Sequence, residues 1–297
     1  MNSLERALIS LDGLSMGDAF GQCFFQEENK LLLDEGKQLP KAPWYFTDDT
    51  EMTLSVIANL RHHGEIYQDT LAKSFAQHYS YDRAYGPSMH RVLARINAGE
   101  AWQDVVASAF EGQGSYGNGA AMRVAPLGAY FADDLDLLVE QASLSAEVTH
   151  AHPEGIAGAV AVALAAAEAC LYRDIGIRPK HAEFLAGIID LLPQSEVRSK
   201  LVRAQSMITV GNMDFPVSVL GNGNNMSAQD TVPLALWCCG QALEDFEKAM
   251  WLTVSSGGDR DTLCAIVGGV VASFVGSEGI PDNWRARREA LPDWYLE

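Results

Sequence analysis

Two short stretches, FTDDTEM at 46–52 and GGDRDT at 257–262, each place a pair of aspartates and a threonine at the mouth of an apolar helical segment. Taken singly, each reads as a helix start. Asp48 with Glu51 three residues on fits a capping box, and acids at a helix N-terminus are favoured by the macrodipole. Capping needs one carboxylate, however, and each stretch supplies two. Thr47, Asp48, Asp49, Asp259, Asp261 and Thr262 are hard oxygen donors, the type that Mg²⁺, Mn²⁺ or Ca²⁺ prefers. If the two stretches meet, four carboxylates converge, which is tolerable only with cations between them. The pattern therefore predicts a dinuclear hard-metal site, with ions roughly 3.5–4 Å apart. Gly257 and Gly258 leave room for the tight backbone that precedes the second pair.

Other stretches offer weaker chemistry. In GSYGNGAAMRVAPLG (114–128), Gly117, Asn118 and Gly119 form a turn whose amides could cradle a phosphate as the next helix opens; a plain loop is the simpler reading. Arg123, one turn into that helix, is expected to hold a metal-shell carboxylate or form an ordinary ion pair. THAHPEG (149–155) supplies His150 and His152 without a third zinc ligand, so ligand contact and helix capping both stay open. His62, His63 and His181 read as solvated helix residues. Asp230 and Thr231 before Pro233 read as a helix start with an Asp cap. The basic C-terminal WRARREALPDWYLE reads as a solvated helix face with tryptophans folded onto the body.

The elements that must position these residues are helical. Apolar residues recur at three- and four-residue spacings near 3–20, 50–62, 69–80, 87–98, 101–111, 133–146, 153–172, 180–192, 231–239, 243–255 and 262–275, while alternating β-type stretches are nearly absent. An all-α fold follows, as a single domain over 1–297, since residues near both ends must touch. Long non-helical stretches at 22–46, 112–121 and 211–230, and a shorter one at 81–88, are candidate functional loops.

Composition narrows the partners. The chain has 297 residues, 48% hydrophobic, and a formal charge of −18, which disfavours stable nucleic-acid or anionic-membrane binding. The apolar run at 155–171 contains Glu168 and is alanine-rich, a buried helix rather than a membrane span. Five cysteines in no ligand-like spacing read as reduced thiols. The opening MNSLERALISL fits a secretory leader poorly. A cytoplasmic location is expected.

In this order, GLSMGDAFG (13–21), FTDDTEM, RAYG (83–86), GNGAAMR (117–123), THAHPEG, SAQDTVPLALW (227–237) and GGDRDT resemble the ADP-ribosylglycohydrolase family, which includes the dinitrogenase-reductase-activating glycohydrolases. The resemblance spans roughly 4–292 and implies an orthogonally packed multi-helix domain with two Mg²⁺ or Mn²⁺ ions. It implies Thr47, Asp48, Asp49, Asp259, Asp261 and Thr262 as metal ligands, with Asp261 bridging. ADP-ribose would lie across Gly117, Asn118 and Gly119, with Met122 and His150 beside it and the Tyr85–Gly86 loop over the ribose. Relatives acting on ADP-ribosyl-serine place a metal-binding glutamate four residues after the last glycine of the GDxxG stretch. Here that position is Phe25, with Glu27 and Glu28 following.

The implied activity is hydrolysis of the glycosidic bond of ADP-ribose on a protein side chain, arginine-linked favoured, or on a small acceptor. Asp48 or Asp49 would orient or deprotonate the attacking water. The partner would be an ADP-ribosylated protein or ADP-ribose derivative, in a regulatory or toxin-counteracting setting. Two alternatives are a non-enzymatic ADP-ribose binder, crystallin-like, and a dinuclear nucleotide phosphohydrolase.

Overall fold

The computed structural model describes residues 1–34, 37–207 and 213–297. The expected loops 22–46 and 211–230 include 35–36 and 211–212, which lie outside the described residues. Sixteen α-helices follow in order among the described residues: α1 Ser3–Gln22, α2 Glu27–Asp34, α3 Asp48–His63, α4 Gln68–Gln77, α5 Pro87–Asn97, α6 Trp102–Ala107, α7 Ala125–Tyr130, α8 Leu135–Glu147, α9 Pro153–Asp174, α10 His181–Leu191, α11 Glu196–Gln205, α12 Asp214–Leu220, α13 Ala228–Ala242, α14 Phe246–Val254, α15 Arg260–Val275 and α16 Asp282–Arg285. No strand is present among them, only isolated bridges at Trp44–Arg288 and Gly117–Ser227. The fold is all-α, as the periodicity predicts.

Three helices escape the periodic reading. In α2 the apolar residues are consecutive (Leu31–Leu33) instead of spaced, and α12 is a short helix inside an expected loop. In α11 only Val197, Leu201 and Ala204 are buried, a stripe diluted by charges. Arg123 also differs from expectation. The GNG stretch opens only a 3₁₀ turn, Asn118–Ala120, and Arg123 precedes α7 rather than lying inside a helix.

One contact sets the geometry of everything below. Gly13, Gly17 and Gly21 stripe one side of α1 against the backbone of α15. A Cβ on them would lie 2.3 Å from the Gly268 carbonyl oxygen, 2.0 Å from that of Cys264 and 2.3 Å from that of Arg260. Rising numbers on α1 meet falling numbers on α15, so the two run antiparallel. Only glycine permits backbones this close. The end of α1 thus reaches the start of α15, and Asp18, between the last two glycines, sits at that junction.

The mostly buried α9 fills the centre with alanine and valine; it is long and apolar enough to cross a membrane by composition, yet it is a core helix here. At the C-terminus, Trp284 packs on Phe20 (ring centroids 4.6 Å) and against Trp44 (5.4 Å). The basic cluster is not a solvated helix face. α16 spans four residues, and beyond it the chain pairs with the segment leading into α3: the Trp44 N–H donates to the Arg287 carbonyl at 2.7 Å. Arg285 and Arg288 both pair with Asp12, at 3.0 and 3.5 Å. Arg83 pairs with Glu289, which also accepts the Phe46 N–H at 2.9 Å. These bonds fix the approach to Thr47.

Candidate active site

The start of α3 differs from a capping box. Thr47 is the N-cap and Asp48 the first helical residue. Glu51 does not reach back to the cap; it accepts the Tyr85 hydroxyl at 2.7 Å and the Ser80 N–H at 2.9 Å. Both aspartates are thus left to other work. Across from them, Gly257 and Gly258 adopt left-handed φ of 71° and 65° and deliver Asp259 to the N-cap of α15, with Asp261 in its first turn. The two stretches do meet. Asp48, Asp49, Asp259, Asp261 and Thr262 line one cleft of about 270 Å³, shared with Gly86, Gly117, Asn118, Gly119, Met122 and His150. A larger cavity of about 530 Å³ near Trp102 and Lys73 contains none of these residues.

Two expected residues are not on the cleft surface. Thr47 lies behind it, its hydroxyl 2.8 Å from Asp18 Oδ1 and 3.0 Å from Asp49 Oδ2. Tyr85 is buried against Glu51, leaving its neighbour Gly86 on the lining.

Asp18 is the functional residue that spacing missed. Fully buried, it accepts the Thr47 N–H at 2.9 Å, the Thr50 N–H at 3.1 Å and the Thr50 hydroxyl at 2.5 Å. It shapes the turn that presents Asp48 and Asp49. The available signal was an acid set between Gly17 and Gly21 of the glycine stripe, since buried acids are rare unless bonded.

The five carboxylates oppose one another. Burial raises the pKa of Asp18 from 3.8 to about 6. Asp48 and Asp49 are raised well above the ordinary range by burial first, then by the charge of Asp18. Asp261 is raised likewise by burial, then by Asp259, and Asp259 itself by burial. Asp49 Oδ1 is buried with no hydrogen-bond partner. Among the described residues no three Asp, Glu, His or Cys side chains stand close enough to hold one ion as placed. The donor set still fits hard divalent cations, since an orphaned carboxylate oxygen and clustered repulsion are what a cation relieves.

The opposite wall is made of neutral donors. The Gly117 N–H donates to Ser115 Oγ at 3.2 Å and the Asn118 N–H to the Met226 carbonyl at 3.1 Å. The expected three-amide phosphate cradle is therefore reduced to Gly119. The two glycines serve another purpose: a Cβ on Gly117 would come 3.1 Å from His150 Nε2, and one on Gly119 would come 2.7 Å from its Cε1. Asn118 Nδ2 donates to Asp259 Oδ2 at 2.6 Å and to Thr231 Oγ1 at 3.0 Å, joining the two walls. Thr231 is thus more than part of a helix start, and the N-cap of α13 is Ser227, not Asp230.

Arg123 neither holds a metal-shell carboxylate nor forms an ion pair among the described residues. Fully buried, it donates to the Gly119 and Ser145 carbonyls at 3.1 and 3.0 Å and to Thr149 Oγ1 at 2.8 Å. Burial lowers its pKa to about 9. The histidine pair divides: His150 lines the cleft, while His152 caps α9, accepting the Glu154 N–H at 3.1 Å. His181 is not solvated as expected; its ring lies 2.9 Å from the Ala204 carbonyl, near Trp237. At the rim, Phe110, Tyr116 and Met226 expose apolar surface that no spacing announced.

A family model for ADP-ribosylglycohydrolase matches residues 1–297. The chain belongs to the ADP-ribosylglycohydrolase family. The ADP-ribosylhydrolase ARH3 of Mus musculus is 29% identical over 283 residues, 84% of this chain and 74% of that one. An uncharacterized protein of Archaeoglobus fulgidus is 30% identical over 287 residues, 92% of this chain and 88% of its own. A solved structure described as an ADP-ribosylglycohydrolase-related protein complex aligns with a TM-score of 0.68 at 25% identity, covering 97% of this chain and 93% of its own. Within the family pattern the departure at Phe25 stands: it is exposed, and neither it, Glu27 nor Glu28 lines the cleft.

Proposed function

We propose that this chain is a divalent-metal-dependent ADP-ribosyl hydrolase that releases ADP-ribose from a protein side chain, arginine-linked acceptors favoured. The observation that carries the reading is the convergence of the α3 and α15 acid pairs on one cleft, facing His150 and the GNG loop. Family membership and likeness to proteins named ADP-ribosylhydrolases support the substrate class. The absence of a glutamate at Phe25 supports the arginine preference.

Asp48, Asp49, Asp259, Asp261, Thr47 and Thr262 would hold two Mg²⁺ or Mn²⁺ ions. When bound, such ions supply Lewis acidity and cancel the repulsion among the acids. Asp48 is our choice of general base, because both aspartates line the cleft but Asp49 is held through its Oδ2 by Thr47. As the water oxygen bonds to the anomeric carbon, the glycosidic bond breaks with its electron pair leaving on the acceptor nitrogen, and the water proton passes to Asp48 and from it to the released guanidine. The Gly119 amide and His150 would face the diphosphate and ribose. The exposed rings of Phe110 and Tyr116, 6.1 Å apart, offer a stacking face for the base. Five free thiols, four of them buried, support a cytoplasmic setting, where the enzyme would reverse a regulatory modification or counteract an ADP-ribosylating toxin.

The test is a panel of ADP-ribosyl-arginine, ADP-ribosyl-serine, O-acetyl-ADP-ribose and simple phosphate esters, with and without Mg²⁺. Metal-dependent release of ADP-ribose, fastest from arginine, is expected. Binding without release would mark a binder, and cleavage of the esters alone a phosphohydrolase.

A further inference from the structure

We infer that Arg123 and Thr149 are positioning residues that lock His150 in the tautomer protonated on Nε2, so that its N–H faces the cleft as a donor to a ligand oxygen. The chemistry of three groups in series fixes this. A guanidinium only donates, so the Arg123 contact with Thr149 Oγ1, at 2.8 Å, occupies that oxygen as an acceptor. The hydroxyl's single proton then needs an acceptor, and His150 Nδ1 lies 2.7 Å away. For Nδ1 to carry a proton instead, the Thr149 hydroxyl would need a different acceptor, and none is found among the described residues.

The far side of the ring agrees. His150 Nε2 has no hydrogen-bond partner among the described residues and lies beside Gly117 and Gly119, where the cleft narrows. Burial, then the charge of Arg123, lowers the pKa of His150 to about 3, consistent with a neutral ring. The same arginine bonds the Gly119 carbonyl, at 3.1 Å, so one side chain sets both the ring and the loop beside it. Arg123 is itself anchored away from ligand, over Phe75 at 4.5 Å and on the Ser145 carbonyl at 3.0 Å. A donor held in this way suits a hydroxyl or phosphoryl oxygen, and it cannot serve as a base on the Nε2 side. Identifying that oxygen as part of ADP-ribose rests on the function proposed above; the tautomer does not.

The experiment separates the two. Nitrogen-15 spectra of histidine-labelled, ligand-free protein at pH 7, with His150 assigned by its loss in His150→Gln, report which ring nitrogen carries the proton. A protonated Nε2 and bare Nδ1 are expected; a protonated Nδ1 overturns the inference whatever the substrate proves to be. Thr149→Val should release the ring into a mixture of tautomers and weaken ADP-ribose binding about tenfold, the worth of one charge-assisted hydrogen bond. Thr149→Ser should restore both. A Thr149→Val protein with wild-type tautomer and affinity would overturn the proposal. Should that variant fail to fold, the wild-type spectrum still decides. A correct tautomer in a protein that never binds ADP-ribose would count against the proposed function and leave the lock intact.

Discussion

On one side of the cleft five carboxylates, four buried and Asp259 half-buried, crowd three helix ends. On the other, Arg123 donates to the Gly119 carbonyl and to Thr149, and Thr149 faces His150, with no carboxylate among those contacts. The acid side is incomplete by itself: its pKa values are raised, and Asp49 Oδ1 has no partner. The donor side carries no opposed charges: main-chain carbonyls and Thr149 Oγ1 accept from the terminal nitrogens of its buried cation, leaving the Arg123 Nε–H without a partner. A wall of mutually repelling acids is built to receive charge, and a wall of locked donors is built to read shape and hydrogen bonds. Asn118 ties one to the other through Asp259.

The comparison breaks most sharply at Asp261. Asp261→Ala is expected to abolish metal-dependent turnover and Mn²⁺ binding by calorimetry while leaving ADP-ribose affinity in the absence of metal largely intact. Full activity in this variant would end the dinuclear reading. Next comes the division of labour between the neighbours at the start of α3. Asp48→Asn should lower kcat by on the order of 10²–10⁴, the usual worth of a general base, with metal affinity less affected. Asp49→Asn should do the reverse, weakening metal binding more than the chemical step. If the two variants behave alike, Asp48 is not the base.

The acid half of this arrangement was legible in the sequence because excess is visible: two carboxylates where a cap needs one, repeated at a distant helix start. The all-α fold was legible for a similar reason, since apolar spacing in α9 and α15 is dense. What escaped notice works through contacts no spacing encodes. Asp18 acts from within a helix whose glycines are read correctly only once α15 lies 2.0 Å from where a Cβ would be. Glu51 looked like the closing half of a capping box, yet Tyr85 and Ser80, distant in sequence, claim it. Arg123 looked like an ion-pair partner, because nothing in its neighbours reveals that main-chain carbonyls will satisfy it. The helix α11 was lost to its own charges.

Asp18 gives the acid wall a smaller but cleaner test, because it does not line the cleft. Asp18→Asn keeps size but gives up acceptor capacity where the Thr47 and Thr50 N–H groups and the Thr50 hydroxyl converge. Loss of such support behind metal ligands typically costs 10–100-fold in metal affinity or activity, and calorimetry with Mn²⁺ should show a loss of about that size. Undiminished Mn²⁺ affinity would mean that the Thr47–Thr50 turn holds itself. The acids also make a prediction about pH in metal-free protein. A carboxylate whose folded pKa is raised favours the folded state when protonated. For Asp18 that contribution is present below about 3.8 and lost as pH rises through about 6. The melting temperature of metal-free protein should therefore fall across that window relative to an Asp18→Asn control, and added Mg²⁺ should recover most of the loss at pH 7. A flat profile would show that the acids relax apart without metal.

The donor wall yields the smallest effect. Gly119 does not have a left-handed backbone, so Gly119→Ala carries no strain from φ; the obstacle is the His150 ring, 2.7 Å from where the methyl would lie. The ring cannot turn freely, since its other edge is held by Thr149. It should instead shift by a fraction of an ångström, pulling Nε2 off its line to the ligand. The expected result is a several-fold rise in KM with kcat and Mn²⁺ affinity unchanged, the mark of weakened binding common to ground and transition states. Gly117→Ala, whose methyl would meet the ring at 3.1 Å, should do less. If Gly119→Ala instead lowers kcat at constant KM, His150 contributes to the chemical step, and the division between an acid wall that reacts and a donor wall that binds fails.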